Sequence, residues 1–122
     1  MTLINDFFSI VQQENSSGSI NAKITINPAH AIFNGHFPGK PVVPGVCMLQ
    51  IILEVTEKIL SQRLKLITAE SIKFLSVLEP TVNNEIEVGI KYTIEHGVIL
   101  LSANLFSGPV IFFKLKAALT PV

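Results

Sequence analysis

Charge is scarce in this chain: 15% of its 122 residues are charged, against 48% hydrophobic, and nine basic residues balance nine acidic ones. A formal net charge of zero lacks the basic excess that a nucleic-acid binder carries, so nucleic acid is not an expected partner. Cysteine is nearly absent. The single Cys47 excludes an internal disulfide and offers no spacing for a thiolate metal site. Long apolar runs are also missing: Val98-Ile99-Leu100-Leu101 and Val110-Ile111-Phe112-Phe113 stop far short of the ~20 residues that span a bilayer, so no membrane insertion is expected. The N-terminus has no basic flank followed by an apolar stretch and a small-residue cleavage site, which makes the cytoplasm the expected location. No repeat, low-complexity tract or linker divides the chain, and its length fits one domain over residues 1–122.

So much apolar content in so short a chain exceeds what its own core should need. The excess predicts burial elsewhere, against a second subunit or around a lipid-like ligand.

Periodicity gives the outline. Ile20, Ala22, Ile24 and Ile26 alternate with polar neighbours from Ser19 to Asn27, the pattern of a half-buried strand, and a first extended segment is expected from Asp6 to Gln13. Glu14 to Gly18 reads as the turn between them. From Val46 to Leu60 there is no glycine or proline, and the apolar residues fall on most sides, which predicts about four turns of a buried helix. Three or four further strands are expected, at Lys65–Leu78, Glu85–Glu95, Val98–Phe106 and Val110–Leu119. His96-Gly97 and Ser107-Gly108-Pro109 provide hairpin turns between the last three. Two strands, one long helix and a run of antiparallel strands predict an α+β fold with a sheet wrapped around a central helix.

The most unusual composition lies between His30 and Gly45, where three prolines and three glycines surround His36. Such a loop is stiff. Pro44-Gly45 immediately precedes the helix, whose first N–H groups lack intrahelical partners and carry the positive end of the helix dipole. An oxyanion finds donors there.

The block Gly35-His36-Phe37-Pro38-Gly39-Lys40-Pro41-Val42-Val43-Pro44-Gly45-Val46 resembles the signature of the β-hydroxyacyl-acyl-carrier-protein dehydratases. Ile72-Lys73-Phe74, ahead of a proline-containing turn, is similar to the strand that follows the family's helix. The resemblance implies a hot-dog fold, an obligate dimer and a tunnel between subunits for the acyl chain and pantetheine arm. It also implies that His36 is the general base removing the α-proton of a 3-hydroxyacyl thioester, and that the Gly45 N–H polarises the thioester carbonyl. Phe37, Pro44 and Val46 belong to the substrate-binding surroundings. An imidazole suits the base role because its unperturbed pKa lies near neutrality. No metal or redox cofactor is implied. Phe33-Asn34-Gly35-His36-Phe37-Pro38-Gly39 with its upstream His30 is also similar to the branch serving aryl-polyene type pigment synthesis.

The chain departs from the family at Gln50, where the family carries an acid that reaches across from the other subunit to protonate the departing hydroxyl. Four residues on, where the family often has Gln, stands Glu54. Three routes are open: Glu54 donates the proton; Gln50 holds the hydroxyl while His36 carries the proton from carbon to oxygen; or a related subunit supplies an acid in trans. Against the first stands the spacing of Gln50, Glu54 and Glu57, which also describes a solvated helix edge.

The expected function is dehydration of a 3-hydroxyacyl thioester on acyl carrier protein to the trans-2-enoyl thioester. The alternatives are a hot-dog acyl thioesterase and a non-catalytic acyl-carrier-binding subunit of an active dehydratase. A homodimer, a higher homo-oligomer or a heterodimer with a related subunit is expected. His30, His96 and Cys47 read as structural or ordinary surface residues. Lys40, Arg63 and Lys73 are the cations available to an acidic carrier protein.

Overall fold

The computed structural model describes residues 2–35 and 39–122. In chain order these form β1 (Phe8–Ser16), β2 (Ser19–Ile26), a short 3-10 turn (Ala31–Gly35), α1 (Gly45–Leu60), β3 (Leu64–Phe74), β4 (Glu85–Glu95), β5 (Val98–Ser107) and β6 (Val110–Pro121). The strands make one six-stranded antiparallel sheet in the order β1-β2-β4-β5-β6-β3, curled around α1. This is the hot-dog architecture.

Alternation decides which face of the sheet meets the helix. Ile20, Ala22, Ile24 and Ile26 on β2, Ile86, Val88 and Ile90 on β4, and Ile99, Leu101, Ala103 and Leu105 on β5 are all buried, and they pack with Cys47, Met48, Ile51, Ile52 and Val55 of α1. On β6 both Phe112 and Phe113 are buried, which strict alternation forbids. A register shift between Leu105 and Phe106 releases Phe112 from the ladder, because Leu105 faces Phe113 while Phe106 faces Ile111.

Two elements end three or more residues away from their expected limits. The first strand starts later and runs further, through Ser16, with Asn15 opposite Ile20 and Ser16 opposite Ser19 around a tight Ser17-Gly18 turn. Asp6 and Phe7 belong instead to a turn in which the Phe7 N–H donates to the Leu3 carbonyl at 2.7 Å and Asn5 has a φ of 68°. The third strand ends at Phe74, after which the N–H groups of Leu75 and Ser76 both turn to the Phe112 carbonyl. The β4–β5 hairpin matches expectation: His96 and Gly97 have φ values of 53° and 79°, the pair of positive angles a two-residue turn of matching twist requires.

Strand β3 is a sheet edge, paired to β6 alone. Its Leu66, Ile72 and Phe74 lie in register with the buried Leu119, Leu115 and Phe113, so they point to the helix side of the sheet, yet they are 38%, 43% and 60% exposed. The core stops before this edge is covered. Among the described residues no helix is long and apolar enough to cross a membrane.

Candidate active site

The approach to α1 is built by prolines and by one backbone tie, from the Val43 N–H to the Leu78 carbonyl at 2.9 Å. Pro44 occupies the N-cap in an extended conformation and makes no side-chain cap. Its carbonyl accepts from the N–H groups of Cys47 and Met48, at 3.0 and 3.2 Å. The N–H groups of Gly45 and Val46 have no acceptor among the described residues. Position 45 lies close under the Phe74 ring: an added Cβ would lie 2.6 Å from Cε1 of Phe74, so a larger residue would have to displace that ring. The Phe74 ring thereby closes on the first turn of the helix and, with Val42, Val43 and Met48, bounds a cavity of about 420 Å³. Pro44 and Gly45 are half-buried and Val46 is 62% exposed, so the expected substrate-binding positions beside the helix start are open to a ligand.

Further along α1, Gln50 and Glu54 face the N-terminal segment. Glu54 is 5% exposed. Its Oε1 accepts from the Leu3 N–H at 2.9 Å and the Ile4 N–H at 2.7 Å, and its Oε2 accepts from the Leu3 N–H at 2.8 Å and from Nε2 of Gln50 at 2.7 Å. A buried carboxylate is costly unless hydrogen bonds replace its water, and here donors occupy both oxygens. The expected solvated edge is therefore corrected. The N-terminal segment lies against this position and meets it with the backbone N–H groups of Leu3 and Ile4. The pattern uses Glu54 as an acceptor rather than as a proton donor, since an O–H on either oxygen would oppose a donor already there. Glu57, the third residue of the series, accepts from the Leu64 N–H at 2.8 Å.

Gln50 lies between two spaces. On one side is a cavity of about 660 Å³ shared with Thr2, Ile4, Leu53, Glu54 and Lys58. On the other is a narrow one of about 110 Å³ between α1 and the sheet, lined by Leu49, Ile52, Leu53, Leu66, Leu101, Leu115 and Leu119 with Gln50 as its polar member. That volume approaches the ~150 Å³ of an apolar cavity that stays dry and admits a small hydrocarbon.

Gly45 and Gln50 are five positions apart on one helix, which sets them roughly 140° apart around its axis. They open onto different cavities. Within a single chain, the helix start and the Gln50–Glu54 pair are therefore not brought to one point. His36 and Phe37, the expected base and its neighbour, lie outside the described residues.

The remaining candidates have structural settings. His30 Nδ1 accepts from the Ile32 N–H at 3.0 Å, which leaves the proton on Nε2, 2.9 Å from Oδ2 of Asp6, while the ring meets Phe7 edge-on. Cys47 is buried, and burial pushes its thiol up from the ordinary cysteine range, away from thiolate reactivity. Lys40 pairs with Glu79 at 3.7 Å on the surface, and Lys73 stands opposite Lys114 in the β3–β6 ladder.

Comparison with known proteins agrees with this fold. Residues 12–102 match a family profile described as ApeI-like, ApeI dehydratase. A 3-hydroxyacyl-acyl-carrier-protein dehydratase FabZ of Caulobacter vibrioides is 31% identical over 84 residues, covering 68% of this chain and 52% of that protein. FabZ of Idiomarina loihiensis is 41% identical over 44 residues, 36% of this chain and 29% of that protein. The chain thus spans about half or less of the length of these curated relatives. Among solved structures, a chain of the dehydratase heterocomplex ApeI:P from Xenorhabdus doucetiae superposes with a TM-score of 0.73 at 20% identity, covering 91% of this chain and 96% of that one, a likeness of fold.

Proposed function

The chain belongs to the ApeI-like dehydratase family, and on that premise we propose that it eliminates water from a 3-hydroxyacyl thioester, carried on acyl carrier protein, to give the trans-2-enoyl thioester. The observation that carries this reading is Gln50. It is the polar group on the wall of a narrow apolar cavity beside the helix, where an acyl chain and its C3 substituent need one polar contact among hydrocarbon.

In this reading His36 takes the proton from C2 while the N–H of Gly45, without an acceptor among the described residues at the positive end of α1, draws charge onto the thioester oxygen. The C3–O bond then breaks, the electron pair left at C2 forms the C2–C3 double bond, and the imidazolium returns its proton to the departing hydroxyl, which leaves as water. Gln50 holds that hydroxyl. Gly45 and Gln50 diverge around α1, so two chains supply one site: His36 and Gly45 come from one, Gln50 from the other. The uncovered Leu66, Ile72 and Phe74 on the free β3 edge are the surface on which a second chain continues the sheet.

A second reading has its own support. The solved neighbour is described as a member of a dehydratase heterocomplex, and this chain has Gln50 where its family places an acid, so a related subunit that supplies the acid in trans is the alternative partner. Mass spectrometry after incubation with a panel of 3-hydroxyacyl carrier proteins, alone and mixed with related subunits of the same organism, decides between them. Enoyl product from the chain alone supports self-sufficient dehydration. Product only in the mixture supports the helper reading, and free acid would refute both in favour of a thioesterase.

A further inference from the structure

The centre of the sheet face turned away from α1 is polar. Ile90, Ala103 and Leu115 are buried against the core, so their neighbours along each strand point outward, and register lines these up in two rows. One row runs Lys91, Ser102, Lys116, Ser71, and the other Gly89, Asn104, Lys114, Lys73. Ser19 and Asn21 of β2 extend them beyond β4. At about 4.8 Å between strands and about 6.8 Å between rows, the four lysines rise from a patch of roughly 14 by 7 Å.

Four of nine basic residues therefore stand together in a chain of zero net charge. All four are exposed, and none makes an ion pair among the described residues, where the pairs are Lys23–Glu85, His30–Asp6 and Lys40–Glu79. Lys73 and Lys114 are direct partners in the ladder, a placement in which like charges cost stability. An array that repels itself and lacks carboxylate partners is a field for an anion from outside. The surface is also hollow. Gly89 contributes no side chain, and an added Cβ there would lie 2.8 Å from Oδ1 of Asn104. The hollow holds about 540 Å³, with the four lysines, three serines and two asparagines on its wall. Serine and asparagine donate hydrogen bonds without adding negative charge.

We propose that this hollow binds a compact polyphosphate anion, with the linked phosphates as the group recognised. The site lies across the sheet from α1 and does not depend on the dehydratase reading. Lysine ammonium groups supply charge-assisted hydrogen bonds to phosphate oxygens, and the neutral donors complete the shell. Acidic neighbours limit the ligand's size: Glu14 stands opposite Asn21, Glu87 is two residues before Gly89 on the same strand face, and Glu70 lines the adjoining hollow with Lys91 and Lys116. A nucleic acid, whose interface covers about 1,000 Å² of protein or more, would run onto them. A second chain continuing the sheet at β3 would pair with that strand's backbone and leave the outward Lys73 side chain open.

Calorimetric titration of the full chain at low salt with sodium triphosphate, ATP, orthophosphate and sulfate tests the site. Triphosphate should bind at least roughly tenfold more tightly than orthophosphate or sulfate, because several charged contacts act at once. ATP should bind too: tighter binding than triphosphate identifies a nucleotide as the source, and equal or weaker binding the free anion. Lys114→Gln/Lys116→Gln should weaken triphosphate by about a hundredfold, whereas Lys23→Gln/Lys65→Gln, which removes the same charge outside the hollow, should weaken it by less than about threefold. Without anion, Lys114→Gln should melt slightly above the parent, since its repulsion with Lys73 is gone, and should gain less from triphosphate than the parent does. No triphosphate binding by the parent, sulfate bound as tightly as triphosphate, or equal loss in the two double variants would overturn the site. An acyl carrier protein that binds the parent but not Lys114→Gln/Lys116→Gln, with no triphosphate bound, would overturn it in favour of a protein-docking face.

Discussion

Glu54→Ala tests the clasp between the helix and the N-terminal segment by removing its acceptor. The carboxylate receives the Leu3 N–H, the Ile4 N–H and the Gln50 amide at 2.7–2.9 Å, with Leu3 itself 2% exposed. Hydrogen bonds to a charged group contribute about 1.5–3 kcal/mol each, so three donors set a gross loss of about 4.5–9 kcal/mol. Two effects offset it. The variant no longer incurs the several kcal/mol of desolvation that a buried carboxylate costs, and the segment can fray to return its N–H groups to water. Net of these, the expected loss is about 2–4 kcal/mol, or roughly 8–15 °C in melting temperature for a chain of this size. Urea unfolding at one fixed protein concentration measures the energy. Amide hydrogen exchange locates it: protection at Leu3 and Ile4 should collapse far more than at Val88 and Leu105 in the sheet centre. An unfolding energy within about 0.5 kcal/mol of the parent, with Leu3 and Ile4 still protected, would refute the reasoning, since surface substitutions change stability by no more than that.

Three further outcomes are expected. His36→Ala should lower dehydration by on the order of 10²–10⁴ with an unchanged circular dichroism spectrum, because it leaves every proline and glycine of the chain in place; product assay by mass spectrometry checks it. Ile72→Glu places a charge on the uncovered β3 edge, where the side chain is 43% exposed, and should shift analytical ultracentrifugation toward monomer at micromolar concentration while the monomer stays folded. Cys47, 1% exposed and with its thiol raised by burial, should resist iodoacetamide at neutral pH in the native protein and react once urea unfolds it; modification of native protein at the rate of a free thiol would contradict the packing.

Much of the fold was legible because side-chain periodicity reports which face is buried. The Ser19–Ile26 alternation, the unbroken helix to Leu60 and the His96-Gly97 turn appear where the residues place them. The misplaced ends of β1 and β3 share a cause. Glu14, Asn15 and Ser16 have turn-like composition but pair through their backbone with Ser19, Ile20 and Asn21, and Leu75 to Leu78 are apolar enough for a strand yet leave the ladder after Phe74. The site divides the same way. Gln50 and Gly45 were candidates from the signature block and the helix start, and the structure places each on the wall of a cavity. The burial of Glu54 was not legible, because Leu3 and Ile4 hold it with main-chain N–H groups, which every residue but proline has and which leave no mark in the sequence.

The clasp has a practical consequence for anyone handling this protein. Thr2 and Ile4 line the cavity that contains Gln50, so this segment lies beside the proposed site. A fluorophore or cross-linker attached at Thr2 sits at that cavity and competes for its volume, and activity recorded with such a handle would report the obstruction as well as the enzyme. Val122 is 78% exposed at the far end of β6, beyond the Leu64–Pro121 pair. Attachment there leaves both the clasp and the cavity untouched.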